Sequence, residues 1–336
     1  MKPLCGDTSS DQAVALVFQW LHTCLTYHTT LAYKNGCKKL KEPVAAPKRV
    51  VYVGKTNDEI RLLENTDNSK AFYTCLSHCW GPKQPLMTTK ATKARHMNGI
   101  KWTDLPKTFQ DAIDFTRRLR VSFIWIDSLC IVQDDKDDWA LESTRMASIY
   151  SNAFFTIAAA ASSDGKLGPI YAKRQCHPPS PLLQRGWVLQ EQLLSQRVVY
   201  FCNNDVAFQC ASGRRCECGE SWADRNVDML DSMSNYFEDL HEWTRAVEEY
   251  SSRKLTFQRD KLPALSGVAR TIAERHSAAR PGLEYCAGLW NWRWYEQLMW
   301  AAESPTKPTP TPAATSETAY VAPSWSWASA NGPVKF

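Results

Sequence analysis

The chain has 336 residues, 44% of them hydrophobic, enough to bury a large core as one big domain or as two lobes. Its formal charge is only +5, and the Lys and Arg residues are scattered and form no basic stripe interleaved with aromatics, so nucleic-acid binding is not supported. No apolar run reaches the roughly 18 residues that span a bilayer, no segment repeats at a fixed period, and the opening M-K-P-L-C-G-D-T-S-S-D lacks the apolar region of a signal peptide. The expectation is a soluble, cytoplasmic protein whose 12 Cys stay reduced, and whose 14 Trp serve packing or line a cleft.

Residues 1–70 start with an apolar helical stretch, Ala13 to Leu25, and pass through a polar Lys-rich segment to an extended R-V-V-Y-V at Arg49 to Val53. They read as a front attachment to a sheet. Residues 71–165 alternate strand and helix. Phe72 to Leu76 is a strand; Pro106 suits the first turn of a helix in which Phe109, Ala112, Ile113 and Thr116 follow at i, i+3, i+4 and i+7. Val121 to Ile126 is the next strand, Asp137 and Asp138 favour a helix start, and Trp139, Met146, Ile149 and Tyr150 mark one side of that helix. Phe154 to Ala161 is a third apolar strand. This order predicts an α/β fold, a parallel sheet flanked by helices.

That topology carries the functional expectation. Ser77, His78 and Cys79 follow the first strand, Asp127 and Ser128 end the second, and Ser162, Ser163 and Asp164 follow the third. Ligands of open parallel sheets bind outside the carboxyl ends of the strands, above all where the winding direction switches. Ser and Asp are also ordinary turn and cap residues, but His and Cys are not. Convergence of Ser77, Asp127 and Ser163 on one rim is therefore expected to make a cleft.

Residues 166–336 change character and predict an α+β C-terminal lobe packed on the core. C-H-P-P-S-P at Cys176 to Pro181 is a linker, Arg185 to Ser195 a helix, and Val198 to Cys202 with Val206 to Cys210 a hairpin around a three-residue polar loop. Tyr236, Leu240, Trp243, Val247 and Tyr250 stripe a long amphipathic helix, read as core packing. Asp260 to Ala273 is another helix entered through Pro263. After a Pro, Thr and Ala-rich passage, P-S-W-S-W-A-S at Pro323 to Ser329 alternates like a strand.

Metal and phosphate motifs fare poorly. Cys202, Cys210, Cys216 and Cys218 do not match the paired C-x-x-C spacing of structural zinc sites, and the helical spacing of Cys24 and His28, with Cys37 beyond, suits plain burial, so no metal site is assigned. With no G-x-x-x-x-G-K-[ST] and no G-x-G-x-x-G after a strand, no cofactor-binding residues are assigned and the cofactor stays unknown. His78 between Ser77 and Cys79 invites a nucleophile reading, yet adjacent strand residues point to opposite faces, so a dyad needs a partner from elsewhere.

Y-T-C-L-S-H-C-W-G at Tyr73 to Gly81, F-I-W-I-D-S-L-C-I-V-Q-D at Phe123 to Asp134 and S-I-Y-S-N-A at Ser148 to Ala153 form an ordered triplet that resembles the heterokaryon incompatibility (HET) domain, a fungal family linked to nonself recognition and cell death. R-G-W-V-L-Q-E-Q-L-L-S at Arg185 to Ser195, A-G-L-W at Ala287 to Trp290, the P-S-W-S-W-A-S run and the W-L-x-x-C-x-x-x-H opening are similar to further words of that family. The resemblance implies a core like that of Toll/interleukin-1 receptor (TIR) domains or flavodoxin, and an effector with protein partners in a cell-death assembly. Its alternative implication is an enzyme, either cleaving the nicotinamide to ribose bond of NAD or tailoring a small molecule, with a nucleotide or small molecule as ligand. The chemistry of the NAD reaction needs a carboxylate beside an oxocarbenium-like centre. Glu142 is the first candidate, against a plain solvated helix-face charge, with Asp127 orienting a ribose hydroxyl and Ser77 and His78 beside it. Glu191 is a rival, and Gln192 stands where the family more often shows Arg.

Overall fold

The structure is a computed structural model that describes residues 6–28, 37, 42–81, 86–161, 180–202, 205–217, 240–278, 280–303 and 320–336. The chain divides into two units, Met1–Leu182 with Leu194–Ser234, and Leu183–Leu193 with Asn235–Phe336.

In the first unit, helix α1 (Asp11–Tyr27) starts at Ser10, whose hydroxyl accepts from the Ala13 amide, and it buries Ala13, Val17, Trp20, Leu21 and Cys24 along one stripe. The sheet strands that follow are β1 (Arg49–Tyr52), β2 (Arg61–Glu64) and β3 (Thr74–Ser77). Helix α2 (Lys107–Arg118) leads to β4 (Phe123–Ile126), and α3 (Lys136–Asn152) leads to β5 (Phe155–Ala158). Strands β6 (Arg197–Phe201), β7 (Val206–Cys210) and β8 (Gly213–Cys216) complete an eight-stranded sheet ordered β8-β7-β6-β5-β3-β4-β1-β2.

The expected parallel arrangement holds at the centre. Leu76 of β3 lies opposite Ile126 of β4 on one side and Ile157 of β5 on the other, and Ile157 in turn faces Val199 of β6, all in parallel register. These strands are buried almost throughout, as strands covered on both faces must be. The chain runs from β3 to β4 on one flank and then crosses to β5 on the other, so its winding direction switches at β3.

A wholly parallel sheet is corrected at the edges. Strand β1 is antiparallel to both β4 and β2, and β6, β7 and β8 run antiparallel in turn, which makes the sheet mixed. The connections from β6 to β7 and from β7 to β8 are too short to carry a crossover, so they can join only antiparallel neighbours. The expected hairpin is present, with Val199 opposite Phe208.

Helix α2 buries Phe109, Ala112, Ile113 and Thr116, the expected stripe, with Pro106 as its N-cap. Helix α3 buries Met146, Ile149 and Tyr150 of its expected side and two acids besides. Asp135 caps it by accepting from the Asp137 and Asp138 amides, and its buried side carries Asp138, Glu142, Met146, Ile149 and Tyr150, whereas Trp139 is half-buried. Asp138 is buried because it is paired: it takes the Arg49 guanidinium, the Lys48 ammonium at 2.8 Å and the Val132 amide at 2.9 Å. Burial alone would push its carboxyl up, but these partners together hold it below the usual carboxylate range.

The second unit contains α4 (Gly186–Leu194), α5 (Leu240–Ser251) and α6 (Pro263–His276). Trp243, Val247 and Tyr250 of the α5 stripe are buried; Tyr236 and the Leu240 side chain lie outside what is described. The A-G-L-W and P-S-W-S-W-A-S words meet here: the indoles of Trp243 and Trp327 both donate to the Gly288 carbonyl, at 2.9 and 2.8 Å, and Ser326 donates to the Ala287 carbonyl. The expected strand at the second word is instead a 3₁₀ turn, Trp327–Ser329, capped by the Ser326 hydroxyl, which accepts from the Ala328 amide.

Candidate functional site

Direct parallel pairing places the ends of β3 and β4 side by side, with β3 also bordering the switch crevice toward β5, and the residues after β3 and β4 build a polar cluster. Asp127 opens a single helical turn, Asp127–Cys130, directly after β4. One carboxylate oxygen accepts from the Ser128 amide at 2.7 Å, the other from the Trp80 indole at 2.8 Å. His78, one residue beyond β3, holds Nδ1 3.7 Å from the Asp127 carboxylate and packs its ring edge-on against Phe109, with centroids 5.0 Å apart. Asp127 therefore holds the Trp80 indole and lies beside the His78 imidazole at the carboxyl ends of two parallel strands. Ser128 ties the next segment down: its hydroxyl donates to the Leu86 carbonyl, and its own carbonyl accepts from the Thr88 amide.

Of the four residues expected in the site, His78 and Asp127 come together. Ser77 is adjacent in sequence, buried at the end of β3, and its hydroxyl has no hydrogen-bond partner among the described residues. Glu142 is not the solvated helix-face charge that competed with a site role; it is fully buried. One of its oxygens accepts from Arg145 at 3.2 Å, and the other has no partner among the described residues. Desolvation pushes its carboxyl up, against the pull of Arg49 and Arg145, so its protonated form is favoured relative to a carboxyl in water. Its hydrogen bond runs to Arg145 and not to His78 or Asp127, which sets it apart from the rim cluster.

Trp80 went unassigned in the sequence, although the word H-C-W placed it two residues from His78. Trp125, in the middle of β4, is also fully buried with its indole N–H unpartnered among the described residues. Ser77, Trp125 and Glu142 thus share a property that native structures seldom tolerate without an ordered water or a ligand. Ser162, Ser163 and Asp164, expected to complete the rim, lie outside the described residues. The rival Glu191 is buried on α4, and Gln192, which stands where the family more often shows Arg, accepts from both terminal nitrogens of Arg253 at 3.2 Å.

A separate cavity of about 250 Å³ lies in the first unit, lined by Trp102, Lys107, Gln110, Asp111, Phe115 and Phe201 among others, and includes none of the four expected site residues. Away from both places, Cys24, His28, Cys37 and Cys210 bring their ligand atoms within 4.8 Å of one another. The spacing argument missed this set because its members come from the end of a helix, from Cys37 and from a strand far along the chain. Among the described residues no helix is long and apolar enough to cross a membrane.

Comparison with known proteins bears on the strand-end cluster directly. Residues 73–179 match the family described as heterokaryon incompatibility protein (HET). No curated protein and no solved structure matches the chain. The matched segment contains β3, β4 and β5, the rim residues His78, Trp80 and Asp127, and Ser77 and Glu142. Residues 73–179 are therefore a heterokaryon incompatibility domain, built on the parallel centre of the sheet.

Proposed function

We propose that this chain is an incompatibility-type effector, one whose presence in a fungal cell arrests growth or kills, and that the rim of His78, Trp80 and Asp127 is the part of the domain that acts. The observation that carries this reading is the coincidence of the family segment with the polar strand ends: residues 73–179 include β3 and β4, whose ends carry the cluster, and β5, which meets β3 where the winding switches. The strand order around β3 also supports a TIR or flavodoxin-like core, in which ligands sit at that same switch. A protein partner in a death-signalling assembly, in the cytoplasm, follows from the same reading. Regulated expression in a filamentous fungus tests it. Growth arrest on induction is expected; normal growth at high, soluble protein levels would refute the effector role.

A second reading is favoured by one specific observation, the buried and half-partnered carboxyl of Glu142. A carboxyl whose pKa is raised by desolvation suits a general acid, and the Asp127 carboxylate of the rim suits the stabilisation of an oxocarbenium-like centre. In this reading the ligand is a nucleotide such as NAD or another small molecule, and the effector acts by consuming or altering it. Purified protein incubated with NAD should release nicotinamide, and Glu142→Gln should reduce the rate by about 100-fold or more, as loss of a general acid does. An unchanged rate in Glu142→Gln would remove Glu142 from the chemistry.

A further inference from the structure

The four-residue cluster outside the matched segment brings together three thiols and an imidazole, the ligand types of a structural zinc site. Cys24 sits in the last turns of α1 and His28 caps that helix, a spacing of i, i+4 that sets both on one face. Cys210 is the last residue of β7. Trp20, one turn before Cys24, stacks on Phe208, two residues before Cys210, at a centroid distance of 6.3 Å, so core packing fixes the helix against the strand in this register. Cys37 is tied in by its amide, which donates to the His28 carbonyl at 2.9 Å. The four residues are 0, 7, 3 and 5% exposed in sequence order, and His28 Nδ1 already stands 3.3 Å from Cys210 Sγ.

We propose that Cys24, His28, Cys37 and Cys210 bind one zinc ion in a closed tetrahedral site that fastens α1 to the β6-β7 hairpin. Zinc at about 2.3 Å from sulfur and about 2.0–2.1 Å from nitrogen places tetrahedral ligand atoms roughly 3.5–3.8 Å apart. The observed set, all within 4.8 Å, reaches that geometry by closing about an ångström. Binding releases three thiol protons to solvent, His28 coordinates as the neutral imidazole, and no electron changes hands. Three thiolates on a dication leave a net charge of minus one. The surroundings answer it: Arg197, fully buried, points Nε at Cys24 Sγ from 3.2 Å, and the Ser212 hydroxyl lies 3.6 Å from Cys37 Sγ. Four protein ligands leave no open position, so the site is structural and does not activate water.

Metal analysis of untagged protein prepared under reducing conditions tests the proposal. About one zinc per chain is expected, and exchange for cobalt should give the thiolate-to-cobalt charge-transfer band and the visible bands of a tetrahedral centre. Cys210→Ser and His28→Ala should lose the metal, while Cys286→Ser, at an exposed thiol, should keep it. Ligand variants risk misfolding, so the unmodified protein is also stripped with a strong chelator: its Tm should fall and return when zinc is added. The proposal is overturned by folded protein that takes up neither zinc nor cobalt, by full metal content in both ligand variants, or by a disulfide among Cys24, Cys37 and Cys210 with no metal uptake after its reduction.

Discussion

Glu142 shows how much one residue's meaning depends on what surrounds it. In the sequence it is one acid on an amphipathic helix; in the fold it is fully buried, with one oxygen on Arg145 and the other unpartnered among the described residues. Because desolvation raises its titration point above the usual 4.5, the native state holds its proton more tightly than the unfolded chain does. Its contribution to stability is complete below that usual value and is lost as pH rises through the raised one. Glu142→Gln should therefore raise the urea midpoint at pH 7 and flatten the pH dependence of stability above 4.5. A lower midpoint would mean that the ionised carboxylate is held by something favourable. Gly288 gives a second test at this scale. It sits at φ +96°, and a Cβ there would come within 2.6 Å of the Trp327 indole nitrogen. Gly288→Ala should cost roughly 1–3 kcal/mol in equilibrium unfolding, through backbone strain and displacement of that indole.

Among the elements, helix α3 and strand β1 are joined by the Arg49 and Asp138 pair, both members buried. Removing Arg49 takes away the buried partner of Asp138 and leaves it only the half-buried Lys48 and the Val132 amide, so Arg49→Met should destabilise by about 3 kcal/mol, read from chemical denaturation. Asp138 is held below the usual range, so its stabilising effect is present above 3.8 and disappears as pH falls through its lowered native value. The Arg49→Met protein should accordingly lose less stability on acidification than the unmodified chain. Elements were legible in the sequence where a period was clean. The stripe of Phe109, Ala112, Ile113 and Thr116 and the paired strands around Asn203 to Asp205 stand as read, because periodicity and turn chemistry are local properties. The buried Asp138 was not legible beside Trp139, since hydrophobicity assigns a carboxylate to water and cannot see that Arg49, far away in sequence, pairs it. P-S-W-S-W-A-S was misread as a strand for a related reason: its alternation is satisfied by Trp327 reaching the Gly288 carbonyl and Ser326 capping its own turn.

At the scale of the whole molecule, the sequence announced a parallel centre but not its antiparallel edges, which depend on which strands find each other across the chain. The same blindness hid the Cys24, His28, Cys37 and Cys210 set, whose members are separated by up to 186 positions and meet only through the fold. The meeting of His78 and Asp127 was legible because strand-end position is itself a sequence feature; that of Trp80 was not, because its indole donates to a carboxylate 47 residues away. The central claim is that this rim acts and does not merely hold the sheet. Asp127→Asn isolates it, since the amide oxygen can still accept from the Ser128 amide while the NH₂ group turns a donor toward the Trp80 indole and the charge facing His78 is gone. Asp127→Asn and the unmodified protein should be expressed at equal soluble levels in a fungal host, with their unfolding midpoints compared in parallel. The account predicts that growth arrest is abolished while stability changes by only about 1 kcal/mol; arrest undiminished in Asp127→Asn would contradict it.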